Sequence, residues 1–215
     1  MKLHLEQLVP YSLKDKITSG NSDIWNQAIT FNDSELIKIE APSGTGKTTL
    51  THILYKVRTD YSGSIKYDNI DLSKCDVDTL ADLRQNHVSI VFQDHRLFPD
   101  LSAGENIEIK RLLTPQFSTK EIIVEMADQL GVSSILDRKV RFCSLGEQQR
   151  IAIIRALMQP FNWLILDEPF SHLDQKNIIR AVSLIGTECK KRNAGLIIMG
   201  LNKDHYFNYN RELIL

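Results

Sequence analysis

LIKIEAPSGTGKTTLTHIL, residues 36–54, is the stretch whose reading decides the fold. An apolar run, a loop with two glycines and an apolar helical pattern follow one another. This is the strand, loop, helix context of a phosphate-binding loop. Gly44 and Gly46 let the backbone curl with its N–H groups inward, and the helix starting near Lys47 adds the positive end of its dipole. The guest such a nest favours is a polyphosphate, held by Pro42, Ser43, Gly44, Thr45, Gly46 and Lys47. Lys47 is placed to reach the terminal phosphates, the Thr48 hydroxyl to ligate Mg²⁺, and Thr49 to donate to a second phosphate. Ala41 stands where the usual pattern has glycine, a small residue where only bulk must be avoided.

A second string, WLILDEP at 163–169, reads as a buried strand that ends in two acids. Ligand crevices of open α/β sheets lie at the carboxyl ends of strands. Asp167 is therefore the expected holder of Mg²⁺, through water, and Glu168 the carboxylate that orients and deprotonates an attacking water.

Other short apolar runs, Val88–Phe92, Leu196–Met199 and Leu213–Leu215, alternate with helical patterns over residues 48–57, 147–158 and 175–190. That alternation predicts an α/β fold with a mostly parallel sheet covered by helices. Residues 94–146 show no comparable strand, but Ile122, Ile123, Met126, Ala127 and Leu130 recur at helical spacing, which predicts an inserted helical subdomain. The expected division is a single domain, 1–215, with a core of 1–93 and 147–215 around that insert.

Bulk composition narrows the function classes. With 215 residues, 42% hydrophobic and 25% charged, the chain has the makeup of a folded globular protein. A formal net charge of -1 supplies no global attraction to nucleic acid or anionic lipid, and no nucleic-acid partner is expected. No apolar run reaches the roughly 20 residues needed to span a bilayer. Cys75, Cys143 and Cys189 are widely spaced and suggest reduced thiols rather than disulfides or a zinc site.

CSLGEQQRIAIIRAL precedes the WLILDEP strand, SHLD follows it, and VFQDHRLFPDLSAGENI lies upstream. With the loop at 41–48, this ordered set resembles the ABC ATPase family from about Trp25 to Leu215. The resemblance implies a P-loop NTPase core with an N-terminal antiparallel β region, and ATP with Mg²⁺ as ligands. Cys143, Ser144, Leu145, Gly146 and Glu147 match the family's LSGGQ signature, Ser171 to Asp174 its D-loop, and Gln93 its Q-loop glutamine. Ser144, Gly146 and Glu147 would then touch the ATP held by a second subunit in a head-to-tail homodimer. Gln93 would contact Mg²⁺ or the attacking water. Tyr11 is the expected adenine-stacking residue, with Trp25 as the lesser candidate. Leu97, Phe98, Pro99 and Leu101 either help form a groove for a membrane partner or pack inside the helical subdomain.

Two positions depart from the pattern. Leu201 stands where the family has a switch histidine, and His205 lies four residues further on; Leu145 replaces the first signature glycine. ATP binding with slow hydrolysis is the expectation. The segment around Gln93 looks most like the bacterial lipoprotein-release, macrolide-export and cell-division subgroup, which implies a subunit on the cytoplasmic face of the membrane that drives an integral permease. The alternatives are a cell-division-like regulator that signals without transport, and an ABC-type ATPase acting on nucleic acid or ribosomes. The latter usually has two cassettes or coiled coils, which this chain lacks.

Overall fold

The computed structural model describes residues 1–18, 21–42, 44–201 and 204–215. Its elements, in chain order, begin with β1 (Leu3–Pro10), a 3-10 turn (Tyr11–Leu13), α1 (Lys14–Thr18), β2 (Ala28–Phe31), β3 (Leu36–Glu40) and α2 (Lys47–Leu54). Next come β4 (Tyr61–Tyr67), β5 (Ile70–Asp71), α3 (Val77–Asp82) with a π turn (Leu83–His87), and β6 (Val88–Val91). The chain continues through α4 (Ala103–Leu113), α5 (Lys120–Gln129), α6 (Leu145–Leu157), β7 (Trp163–Asp167), α7 (Gln175–Arg192), β8 (Gly195–Gly200) and β9 (Arg211–Ile214).

These strands form two sheets. One has five strands in the order β6-β7-β8-β3-β9, every pair parallel; the other has four in the order β2-β1-β4-β5, every pair antiparallel. The α/β class, the parallel core and the N-terminal antiparallel region are all present. Strand limits differ from the apolar runs by a residue or two, because polar residues such as Asp167 and Arg211 extend the ladder beyond the apolar centre. Residues 94–146 hold α4, α5, two short 3-10 turns and the first two residues of α6, and no named strand.

Alternation of side chains explains how the parallel sheet is buried on both faces. Trp163, Ile165, Ile197, Met199, Ile37 and Ile39 point into one apolar cluster, shared with α2 and the antiparallel sheet. Leu164, Leu166, Leu196 and Ile198 point into the other, shared with α4 to α7. The helices of 94–146 therefore pack on the second face through Ala103, Ile107, Ile123 and Met126. Strands covered on both faces need a continuous apolar sequence, which WLIL of β7 supplies, whereas β9 at the sheet edge, RELI, stays half exposed.

Gly195 and Trp163 share a register position on neighbouring strands, and the indole lies across the glycine. A Cβ on Gly195 would sit 2.3 Å from a ring atom of Trp163. Substitution Gly195→Ala should lower the urea midpoint by the equivalent of about 1–3 kcal/mol through overpacking. The contrasting change Gly186→Ala, inside α7 with its nearest new contact at 3.5 Å, should raise it by about 0.5–1 kcal/mol. Equal midpoints for the two variants would contradict this packing account.

Candidate phosphate-binding and catalytic site

The carboxyl end of β3 opens directly into the glycine loop. Ala41 is fully buried and its N–H donates to the Gly200 carbonyl at 2.9 Å, tying the loop to the end of β8. Gly44 and Gly46 adopt φ of 83° and 104°, a left-handed backbone that disfavours side chains. Gly46 is the N-cap of α2 and no side chain caps that end, so the first N–H groups of α2 face the loop. Ser43 lies outside the described residues.

Leu13, whose role the sequence did not signal, and Trp25 support this loop from outside. A Cβ on Gly46 would meet Leu13 at 2.4 Å, and the Trp25 indole N–H donates to the Thr45 carbonyl at 3.1 Å. Trp25 is 3% exposed and packs against the loop, with one edge lining a hollow shared with Gly44 and Thr45. Tyr11 is 62% exposed at the start of the 3-10 turn. Arg58 donates to Ser12 at 3.0 Å and to Thr49 at 3.4 Å, holding that turn against the first turn of α2.

β7 delivers its two acids to different environments. Asp167 is 1% exposed; its Oδ2 accepts from the Thr51 hydroxyl at 3.1 Å, while its Oδ1 is buried without a partner. Burial pushes its pKa up to about 6, against the opposing Thr51 bond and the Lys47 charge. Thr48, Gln93 and Asp167 line one cavity of about 200 Å³ with His52, Phe92 and Asp94, and the Thr48 hydroxyl donates to Gln93 Oε1 at 3.4 Å. An orphaned carboxylate oxygen beside a hydroxyl and an amide oxygen is a hard-oxygen donor set that fits Mg²⁺, with room for its waters.

Glu168 turns the chain sharply, with φ of 48°. Its N–H donates to Met199 at 3.0 Å, and its carbonyl accepts from Gln149 at 2.8 Å and Ser171 at 3.2 Å. The carboxylate forms an ion pair with Lys47. Gln149 also accepts from the His172 N–H at 3.0 Å, so one buried amide ties α6 to the acidic turn and to the segment after it. In the sequence Gln149 lies in the polar run Glu147 to Arg150, which gives no sign of its burial.

Ser144 is the N-cap of α6 in a capping box: its hydroxyl accepts from the Glu147 N–H at 3.3 Å, and Glu147 accepts from the Ser144 N–H at 2.7 Å. Glu147 also meets Arg138 at 3.3 Å, so its carboxylate is turned onto its own chain. A Cβ on Gly146 would lie 2.8 Å from the His172 carbonyl, which gives this glycine a packing reason as well. Asp174, the last residue of SHLD, caps α7 by accepting from Asn177 at 2.8 Å. Leu145 and Leu201 are 55% and 48% exposed.

Leu201 lines a cavity of about 300 Å³ with Glu168, Ser171, Lys38 and Asp204. His205 is exposed; Asn202 lies outside the described residues. A separate hollow of about 370 Å³ between α5, α6 and α7 contains none of the phosphate-loop, acidic-turn or signature residues.

Comparison with known proteins agrees with this layout. The family profile described as ABC transporter matches residues 25–171. The lipoprotein-releasing system ATP-binding protein LolD of Legionella pneumophila (strain Lens) is 33% identical over 190 residues, 87% of this chain and 83% of the relative. The macrolide export ATP-binding/permease protein MacB of Shewanella sp. (strain ANA-3) is 36% identical over 142 residues, 65% of this chain and 22% of that longer protein. The dimeric structure of MJ0796, a bacterial ABC transporter cassette, superposes with a TM-score of 0.80 at 23% identity, covering 93% of this chain and 88% of that one. The family profile spans more than half of the 215 residues and LolD most of them, so the chain belongs to the ABC transporter family, as one of its ATP-binding ATPase subunits.

Proposed function

We propose that this ATPase subunit holds Mg-ATP between residues 42–49 and the acids of β7, and that it works as a homodimer driving a membrane permease from the cytoplasmic side. The observation that carries the site assignment is the convergence of Thr48, Gln93 and the orphaned Asp167 oxygen on one cavity beside Lys47. Among the described residues no helix is long and apolar enough to cross a membrane, so the permease is a separate polypeptide or segment. The relatives are named for lipoprotein release and macrolide export, which favours transport over signalling alone.

In this reading Lys47 and Glu168 neutralise one another before nucleotide arrives. The γ-phosphate competes for Lys47 with a larger charge and frees Glu168 to orient and deprotonate water. Bound Mg²⁺ would neutralise the developing charge on the β- and γ-oxygens. The loop N–H groups and the uncapped start of α2 contribute fixed dipoles. The Ser144 hydroxyl accepts in its own cap but keeps its hydrogen to donate to a phosphate of the opposing subunit. Residues 94–146 act as the helical subdomain that carries this motif, with Gln93 at its junction to the core. Tyr11 stacks the adenine. Leu201 has no proton to give the γ-phosphate, so hydrolysis is slow.

Three outcomes test this reading. Lys47→Ala should weaken ATP binding about 10- to 100-fold, as loss of a charge-assisted contact, in a fluorescent-nucleotide displacement titration. An unchanged affinity would remove the loop from the site. Glu168→Gln with ATP should sediment as a dimer and without ATP as a monomer; a mass independent of nucleotide would exclude an ATP-sandwiched pair. Leu201→His should raise single-turnover hydrolysis about tenfold or more, the scale of a lost transition-state hydrogen bond, and no increase would show that position 201 is not the missing switch.

A further inference from the structure

Lys38 sits in the middle of a buried parallel strand and is 3% exposed. It alternates with Ile37 and Ile39 and therefore points away from their cluster, into the cavity that Glu168 and Leu201 also line. Its ammonium pairs with Asp204, whose Oδ1 accepts from the Tyr209 hydroxyl at 2.5 Å and the Tyr206 N–H at 3.3 Å. Burial and the neighbouring carboxylate push the Tyr209 phenol upward, so it stays a donor.

A buried ion pair is an expensive way to fill a strand position. Desolvation costs several kcal/mol per ion, and an apolar residue of similar volume often serves stability as well or better. Beside Ile198 on β8, a leucine or methionine would satisfy the core. The sheet ladder here is carried by backbone groups, so nothing in the fold calls for a cation at this point.

Charge balance at the acidic turn suggests its use. Resting on the reading above, arriving nucleotide takes Lys47 and leaves Glu168, 13% exposed, without its counter-ion. Leu201 cannot replace it. Lys38 is the one cation among the described residues lining the shared cavity. It lies three residues before Ala41, whose N–H is bonded to Gly200, so Lys38, the loop and position 201 belong to one rigid strand pair. We propose that Lys38 is a positioning residue for hydrolysis, compensating and orienting the Glu168 carboxylate once nucleotide has claimed Lys47, in place of the contact that Leu201 cannot make. Asp204 stores the lysine charge in the meantime.

The paired substitution Lys38→Met with Asp204→Leu removes both charges together and avoids a lone buried ion. ATP affinity should stay within about twofold, as expected when only a transition-state contact is lost. Single-turnover hydrolysis should fall about 10- to 100-fold, the size of a positioning defect. Adding Leu201→His to the pair should restore the rate, because it supplies the missing contact by another route. Asp204→Asn alone keeps the cation and releases it, and its rate should exceed that of the unmodified protein. A folded paired variant hydrolysing at the unmodified rate overturns the proposal, and so does an Asp204→Asn rate that does not rise. If the paired variant does not fold, the Asp204→Asn rate decides by itself. Absence of ATP binding by the unmodified protein would instead remove the reading on which the proposal rests.

Discussion

Parallel pairing is the constraint on which everything at this site depends. When β6, β7, β8 and β3 run in one direction, their carboxyl ends lie along a single edge of the sheet. Gln93 follows β6, Asp167 and Glu168 end β7, Leu201 follows β8, and the glycine loop follows β3. An antiparallel neighbour would carry its terminal residues to the opposite edge. The registers are in step: Asp167 pairs with Met199, Met199 with Ile39, and the N–H of Ala41 reaches Gly200. Groups separated by up to about 160 residues in sequence are thereby held in one place by backbone hydrogen bonds alone, before any side chain contributes.

Electrostatics then distinguishes the two neighbouring acids. Asp167 is enclosed, half-satisfied by Thr51, and driven toward its neutral form by burial. Glu168, one residue on, leaves the sheet through a left-handed turn and meets a lysine. A divalent cation would reverse the position of the first by supplying the partner that its orphaned oxygen lacks, whereas a phosphate would act on the second by taking its lysine. Identical chemical groups thus receive different tasks from one step of strand geometry.

Much of this was legible in the sequence. Runs such as WLIL and LIIM are apolar at every position, as a strand covered on both faces requires, and the two loop glycines have the positive φ that their spacing implied. The features that were not legible depend on long-range contacts. Nothing near Trp25 indicates that its indole will brace Thr45, because that bond exists only once β1 and β2 have formed beside the loop. Lys38 looks like the solvent-facing member of an alternating strand, L-I-K-I-E. A single sequence does not reveal that helices will cover that face and that Asp204 will meet it. The strand order was equally hidden, since β3 pairs with β8 and β9, more than 150 residues away.

The start of α6 adds a limit on how that motif can work. Ser144 and Glu147 satisfy one another's backbone N–H groups, and Gly146 is pressed against the His172 carbonyl. That leaves for an opposing molecule the serine hydrogen, the remaining N–H groups of the first turn, and the exposed Leu145 side chain. Two of these attract an anion and the third excludes water around it. An apolar side chain beside the donors lowers the local dielectric and strengthens their pull on a phosphate. It also adds bulk that an opposing loop must accommodate. In the dimer proposed above, Leu145 in place of glycine would therefore act in two directions at once, tightening the electrostatics of a closed pair while narrowing the geometry in which closure is possible.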